Sequence, residues 1–338
     1  MSSSKRPKVL LVGSMYHKDG EHLLAAHTDV QVMTDATTEH LVIPIRDAAA
    51  VYVLYPSRLS AEVIREGRSL LVISASGRGT DAIDISAAVD QGIAVVNNPG
   101  LGTIPVAEHT LALMLDLAKQ ITRSDAQVRQ GGGWTDRQQS SRIELEGRTL
   151  SIVGLGNIGM EVARKCIAAF RMRVLVYDPY IPPSKAEAIG ATWVENLPTV
   201  LGEADIVSLH PELTKETRGM IGETELRQMR AESFLINTSR GPVVEEGALV
   251  RALRERWIAG AAIDVFDPEP PPVDSPLYEL DNLILSPHIG GITKEARRHL
   301  ALSAATQILQ VLHGERPPNL VNPDIWEQVA TRVASVRG

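Results

Sequence analysis

The sequence predicts an α/β protein built from two doubly wound parallel-sheet domains, and three observations carry that prediction. Short β-branched runs alternate with helical patterns throughout the chain, as strands buried between two helical layers do. The runs fall into two series, four before residue 100 and six after residue 147. After "SPHIGG" the strand-like runs stop and the chain turns helical. A length of 338 residues, 44% hydrophobic and 22% charged, suits two globular domains of ordinary size.

Taken in order, "KVLLVG", "AVYVLY", "LLVISAS" and "IAVVNN" are the strands of the first series. The stretch "IPVAEHTLALMLDLAKQITRSDAQVRQ" carries an apolar stripe at helical spacing and predicts one long helix, followed by the flexible "GGGW". The second series is "RTLSIVG", "RVLVYD", "DIVSLH", "SFLINTS", "GAAIDVF" and "LILSPH". Last, "TKEARRHLALSAATQILQVLHGE" reads as one helix ending at Gly314, with prolines just beyond. A second series inserted between two flanking segments predicts that the terminal helix packs back on the first domain. That domain is then discontinuous, residues 1–103 with 292–338, and residues 104–291 form the inserted one; a cleft between such domains is the usual place for a small-molecule site.

The formal net charge of −7 argues against nucleic acid or an anionic membrane as partner, since both reward a positive surface. The apolar run within "MSSSKRPKVLLVG" is too short for a signal peptide or a membrane span, so the expected location is cytoplasmic. Cys166 is the one cysteine, which leaves no intrachain disulfide and no Cys-rich metal site; its place in "EVARKCIAAF" reads as a packed helix face, and no metal is expected.

In "TLSIVGLGNIGMEVARKC", Gly154, Gly156 and Gly159 have the Gly-x-Gly-x-x-Gly spacing directly between an apolar strand and a helix. The first glycine makes the tight turn, the second admits a pyrophosphate and the third lets helix pack on strand; the helix N-terminus then faces the anion. Asp178 ends the next strand, nineteen residues past Gly159, where a carboxylate accepts from ribose hydroxyls and repels a 2′-phosphate. These features predict a Rossmann domain that binds NAD rather than NADP.

Hydride chemistry at an alcohol or carbonyl also moves a proton, for which a histidine held by a carboxylate is suited, and an anionic substrate needs a cation. Three residues follow strands of the second series, where open α/β sheets bind ligands: Arg240, Glu269 and His288. Taken singly, each has a structural reading too: a surface ion pair, a solvated loop acid, a histidine bonded to backbone.

The stretches "VVNNPGLGTIPVAEHTLALML", "ELEGRTLSIVGLGNIG", "LHPELTKETRGMI", "LINTSRGPVVEEGALVRAL", "GAAIDVFDPEP" and "SPHIGG" together resemble the D-isomer-specific 2-hydroxyacid dehydrogenases, over nearly the whole length. That family includes D-lactate, glycerate, glyoxylate/hydroxypyruvate and phosphoglycerate dehydrogenases. The resemblance implies a Rossmann domain inserted in a discontinuous flavodoxin-like substrate domain. It also implies that His288 is the acid/base paired with Glu269, and that Arg240 clamps the carboxylate and keto oxygen of a 2-hydroxy or 2-keto acid. Asn157 and Ile158 are then in the pyrophosphate turn, Pro211 on the adenosine side, Thr238 and Ser239 beside the nicotinamide, and Asp264 on its carboxamide. Gly290 and Gly291 let the chain pass close to that ring. The loop "SGRG", Ser76, Gly77, Arg78 and Gly79, resembles the one whose backbone amides bind the substrate carboxylate, a nest of N–H groups.

Arg78 departs from the usual small residue or valine: it either adds a cation for a dianionic substrate or contributes only its amide. Leu54 and Ala75 stand where relatives acting on phosphoglycerate have arginines, which implies a non-phosphorylated substrate. Tyr52, Tyr55 and Arg58 fall where relatives have a loop facing the substrate side chain, or else on a plain surface loop. Trp134 follows the long helix in a segment that in similar proteins reaches a partner subunit, and a homodimer is expected. Two other readings share these residues: an NAD-sensing binding protein of the corepressor type, and an enzyme taking its hydride from phosphite.

Overall fold

The computed structural model describes residues 6–134, 137 and 141–337. The chain divides into two compact units, Met1–Gly102 with Ile292–Gly338, and Thr103–Gly291. The first unit runs β1 (Lys8–Val12), α1 (Lys18–His27), β2 (Asp29–Met33), α2 (Thr38–Ile45), β3 (Ala50–Val53), α3 (Ala61–Glu66), β4 (Val72–Ala75), α4 (Ile85–Asp90) and β5 (Ala94–Val96). The second begins with α5 (Thr103–Lys119) and α6 (Ile121–Arg129), then β6 (Thr149–Val153), α7 (Asn157–Phe170), β7 (Arg173–Tyr177), α8 (Pro183–Glu187) and β8 (Thr192–Trp193). It continues through α9 (Leu197–Glu203), β9 (Ile206–Leu209), α10 (Glu223–Gln228), β10 (Phe234–Asn237), α11 (Glu246–Arg254), β11 (Gly260–Ile263) and β12 (Leu283–Leu285). The chain then returns to the first unit for α12 (Lys294–Leu312) and α13 (Trp326–Arg337).

In the first unit five parallel strands pair in the order β2-β1-β3-β4-β5. Side chains alternate across this sheet, so each strand feeds two cores. Val9, Leu11, Tyr52, Val72 and Val96 pack with α12 residues such as Ala304 and Ile308, while Leu10, Val12, Val51, Ile73 and Val95 pack with Leu41, Val63 and Ala87 of the helices on the other face. The helix α12 is therefore part of the first unit, capped at its start by Thr293, whose Oγ1 accepts from Ala296 N at 3.1 Å.

In the second unit seven parallel strands pair in the order β12-β11-β10-β9-β6-β7-β8. Ile152, Val176 and Ile236 face α5 and α7, and Val153, Leu209, Leu235 and Ile263 face α10 and α11. Strand order reverses between β6 and β9, the point where such sheets leave a crevice at their carboxyl ends. Both sheets are thus doubly wound. Among the described residues no helix is long and apolar enough to cross a membrane, and no three acidic, Cys or His side chains are grouped to hold a metal ion.

The structure differs from the sequence reading in three places. Each sheet has one more strand than the apolar runs show: β2 is a mostly exposed edge strand and β8 has only two residues, so neither carries the buried run that marks the others. The long helix is two helices, broken at Gln120, whose φ is +53°, and Asp116 closes the break by accepting from Thr122 N at 2.9 Å. Tyr52 lies within β3 and is wholly buried, so it faces a core rather than a loop; Tyr55 and the exposed Arg58 follow on the turn. Cys166 is buried against Met114, its thiol pushed up to about 12 by burial, which suits packing and not reactivity.

Candidate active site

The dinucleotide turn is built by close packing at two of its three glycines. Gly154 has φ +92° and a Cβ there would meet the His210 carbonyl carbon and Pro211 N at 2.9 Å. At Gly159 a Cβ would fall 2.2 Å from the Gly154 carbonyl oxygen, so only glycine lets α7 approach β6 so closely. Gly156, the N-cap of α7, is different: nothing lies within 4 Å of the Cβ position. That opening at the start of a 14-residue helix, with Asn157 and Ile158 as its first residues, fits the pyrophosphate of a dinucleotide.

Asp178 is tied to the same turn. Its Oδ2 accepts from Leu155 N at 2.8 Å and its Oδ1 from Tyr180 N at 2.9 Å. Each oxygen keeps a lone pair for a ribose hydroxyl.

At the other half of the sheet Asn237, Ile263 and Leu285 are aligned across β10, β11 and β12. Arg240, Glu269 and His288 follow these three residues on one carboxyl edge. His288 Nδ1 lies 2.7 Å from Glu269 Oε2, and Glu269 Oε1 accepts from Phe266 N at 2.8 Å. A carboxylate only accepts, so Nδ1 carries the hydrogen and Nε2 is the nitrogen on the far side of the ring. Glu269 is 9% exposed and His288 32%, a shielded acid beneath an accessible imidazole. The Arg240 loop is pinned beside them: Asn237 Nδ2 donates to the Arg240 carbonyl at 2.9 Å, and a Cβ on Gly241 would lie 2.0 Å from the Phe266 oxygen.

His288 itself has φ +52°, a left-handed conformation that costs energy in a non-glycine residue. Asp264, 2% exposed, holds that turn: its Oδ1 accepts from Ile289 N at 3.0 Å and from Ser286 Oγ at 2.6 Å, its Oδ2 from Gly290 N at 2.8 Å. Ser286 has one hydroxyl hydrogen and gives it to Asp264, so the 2.9 Å contact between Ser286 Oγ and His109 Nε2 is donated by the histidine. Burial pushes the Asp264 carboxyl up, but bonds from His109, Ser286, Gly290 and Ile289 outweigh it and leave the group below its ordinary value. Asp264 thus serves the His288 turn with both oxygens.

Thr238 and Ser239 are buried, bonded to Thr110 Oγ1 at 2.9 Å and Asn237 Oδ1 at 2.8 Å. Gly290 packs against Asp264 and His109, and Gly291 near Val106. Ser76, Gly77, Arg78 and Gly79 follow β4 in the first unit, Ser76 buried and Arg78 exposed. His109 and Ser286 have no place in the sequence reading. A histidine inside the apolar stripe of α5, and a hydroxyl one step before Pro287-His288, were the available signals.

The model of the D-isomer specific 2-hydroxyacid dehydrogenase NAD binding domain matches residues 111–290, more than half of the chain. The chain belongs to that family. NAD is the cofactor of the matched domain, in keeping with the opening at Gly156. A glyoxylate reductase of Thermofilum pendens is 40% identical over 327 residues, covering 95% of this family member and 96% of the relative. A D-3-phosphoglycerate dehydrogenase of Methanocaldococcus jannaschii is 40% identical over 320 residues; the match covers 94% of this chain but only 60% of that longer relative. The crystal structure of the TT0316 protein from Thermus thermophilus superposes with a TM-score of 0.85 at 34% identity, over 93% of this chain and 99% of that one.

Proposed function

We propose that this chain is an NAD(H)-dependent oxidoreductase that interconverts a small, non-phosphorylated D-2-hydroxy acid and its 2-keto acid. The observation that carries the reading is the 2.7 Å contact of His288 Nδ1 with Glu269, on the carboxyl edge of a dinucleotide-binding sheet. NAD(H) supplies or takes the hydride at the substrate carbon. In reduction His288 Nε2 gives its proton to the carbonyl oxygen as that oxygen gains charge, and in oxidation it takes the proton back. Glu269 fixes the tautomer and stabilises the imidazolium. Arg240 holds the anionic substrate and the developing alkoxide. Gly156, Asn157 and Ile158 hold the pyrophosphate in a turn that Gly154 and Gly159 allow to pack, Asp178 the ribose, and the amides of the Ser76–Gly79 loop the carboxylate.

Leu54 and the buried Ala75 support a substrate without a phosphate, since neither offers a cation. The same reading places the protein in the cytoplasm as a homodimer. Support for the dimer comes from α6, which buries no residue and exposes Ile121 and Val128, and from Trp134, 68% exposed just beyond it; sedimentation equilibrium measures it directly.

The test is NADH oxidation with glyoxylate, hydroxypyruvate, pyruvate and phosphohydroxypyruvate, run beside NADPH. Turnover of an unphosphorylated acid with NADH preferred is the expected result; preference for NADPH or for the phosphorylated acid overturns it. NADH binding without turnover of any acid would favour a sensor. His288→Asn should lower turnover at least about a hundredfold and leave NADH affinity within a few-fold.

A further inference from the structure

We infer that Asn98 and Gln307 are positioning residues that aim the amides of the Ser76–Gly79 loop at the substrate carboxylate. The inference rests on the reading of that loop as the carboxylate cradle, and all of the residues involved lie in the first unit.

Three carbonyls of this stretch are gathered to one side by two consecutive asparagines. Asn98 Nδ2 donates to the Ala75 oxygen at 3.0 Å, Asn98 N to the Gly77 oxygen at 2.9 Å, and Asn97 Nδ2 to the Arg78 oxygen at 2.7 Å. In a trans peptide the N–H points opposite to the C=O of the same unit. The pull on Ala75 therefore turns Ser76 N–H the other way, and it does donate to Val53, at 3.0 Å. By the same geometry the pulls on Gly77 and Arg78 turn the N–H groups of Arg78 and Gly79 away from the asparagines. Two successive amides set on one side are what an anion needs.

Gln307, on α12, holds the clamp in place. Its Nε2 donates to the Asn97 carbonyl at 3.0 Å and to Asn98 Oδ1 at 3.3 Å, with Ser303 Oγ at 3.4 Å, and its Oε1 accepts from Asn319 N at 3.1 Å. Asn98 is 1% exposed and Gln307 2%. Only one orientation of the Asn98 amide satisfies this pattern, since a flip would set Oδ1 against the Ala75 oxygen and an NH2 group against the Gln307 NH2. A buried amide relay of this kind rigidifies its surroundings only when every member is satisfied, and here each side-chain group has a partner.

The experiment compares Asn98→Leu, a near isostere, and Gln307→Leu with the unaltered protein. For Asn98→Leu the KM for the preferred 2-keto acid should rise at least about tenfold, with kcat within about threefold and NADH affinity unchanged. Gln307→Leu, acting through Asn98, should raise KM by a smaller factor in the same sense. A KM that does not move, or a joint loss of kcat, NADH affinity and thermal stability, would mean that the relay only holds the fold together and would overturn the inference. Titration of 15N-glycine-labelled protein with oxamate gives a reading free of turnover. The Gly79 amide signal should shift in the unaltered protein and stay still in Asn98→Leu. A Gly79 signal that does not move in the unaltered protein overturns the inference. Absence of turnover with a normal oxamate response overturns the proposed reaction and leaves the relay standing.

Discussion

Asp264 is the residue on which the reacting turn depends, because three donors of the segment Ser286–Gly290 converge on its two oxygens. An asparagine there keeps the shape but presents one oxygen, and sets an NH2 group against a donor. Hydrogen bonds to a charged group are worth about 1.5–3 kcal/mol, so Asp264→Asn should cost about 2 kcal/mol and several degrees in Tm. Because the left-handed His288 relies on that grip, kcat should fall about tenfold or more while Gly156 and its neighbours bind NADH as before. The sign of the pH effect follows from the carboxyl lying below its ordinary value. A group depressed on folding adds stability above its unfolded pKa, and the addition is lost as pH falls through the folded value. The stability gap between the two proteins should therefore be constant above about pH 4 and narrow below it, as thermal melts across an acid series would measure. A gap that does not change with pH would mean that Asp264 is not ionised in the fold.

At the scale of elements, the strand-turn-helix of β6 and α7 gives its glycines two separate duties. Gly159 is needed for packing and Gly156 for space, and substitution should tell them apart. Gly156→Ala puts a methyl where nothing lies within 4 Å, at φ −72°, which alanine adopts. Its melting should match the unaltered protein within about 0.5 kcal/mol, while NADH affinity should drop about tenfold or more because the methyl fills the pyrophosphate opening. Gly159→Ala drives a Cβ into the Gly154 carbonyl and should cost about 1–3 kcal/mol before any ligand is added. Melting curves beside a fluorescence titration with NADH separate the two, and an unimpaired Gly156→Ala would remove the opening from the cofactor site. This duty was legible in the sequence because strand, glycines and helix are contiguous. So were the central strands, whose apolar runs record burial on both faces. The edge strand β2 was not, since half-exposed residues leave no such run, nor was the break at Gln120, which depends on Asp116 reaching across the turn. Glu269 and His288 were legible as strand-end residues, whereas His109, Ser286 and Gln307 act through partners 177 to 210 positions away, and such pairings leave no local pattern.

For the molecule as a whole, two separately packed units need not share one stability, and the second contains a histidine whose burial bears on its stability in acid. His210 directly follows β9 with Nε2 2.9 Å from Ser208 Oγ, while Nδ1 is buried without a hydrogen-bond partner. Burial pushes the imidazole down to about 3, from an ordinary 6.5. The folded chain therefore refuses a proton that the unfolded chain takes up, so stability is full above pH 6.5 and falls as pH drops toward 3. One proton corresponds to about 1.4 kcal/mol per pH unit; because His210 keeps some contact with solvent, the loss over this range is on the order of 3 kcal/mol rather than the full value. His210→Gln leaves an amide for Ser208 and takes up no proton. It should start from a lower stability at neutral pH and lose much less between about pH 6.5 and 4. The two units are different segments of the chain, so amide hydrogen exchange resolved by segment can assign the loss. Acid softening should appear in β6, β9 and α7 and be removed by the substitution. The same softening in both proteins, or one confined to the first unit, would place the acid limit elsewhere.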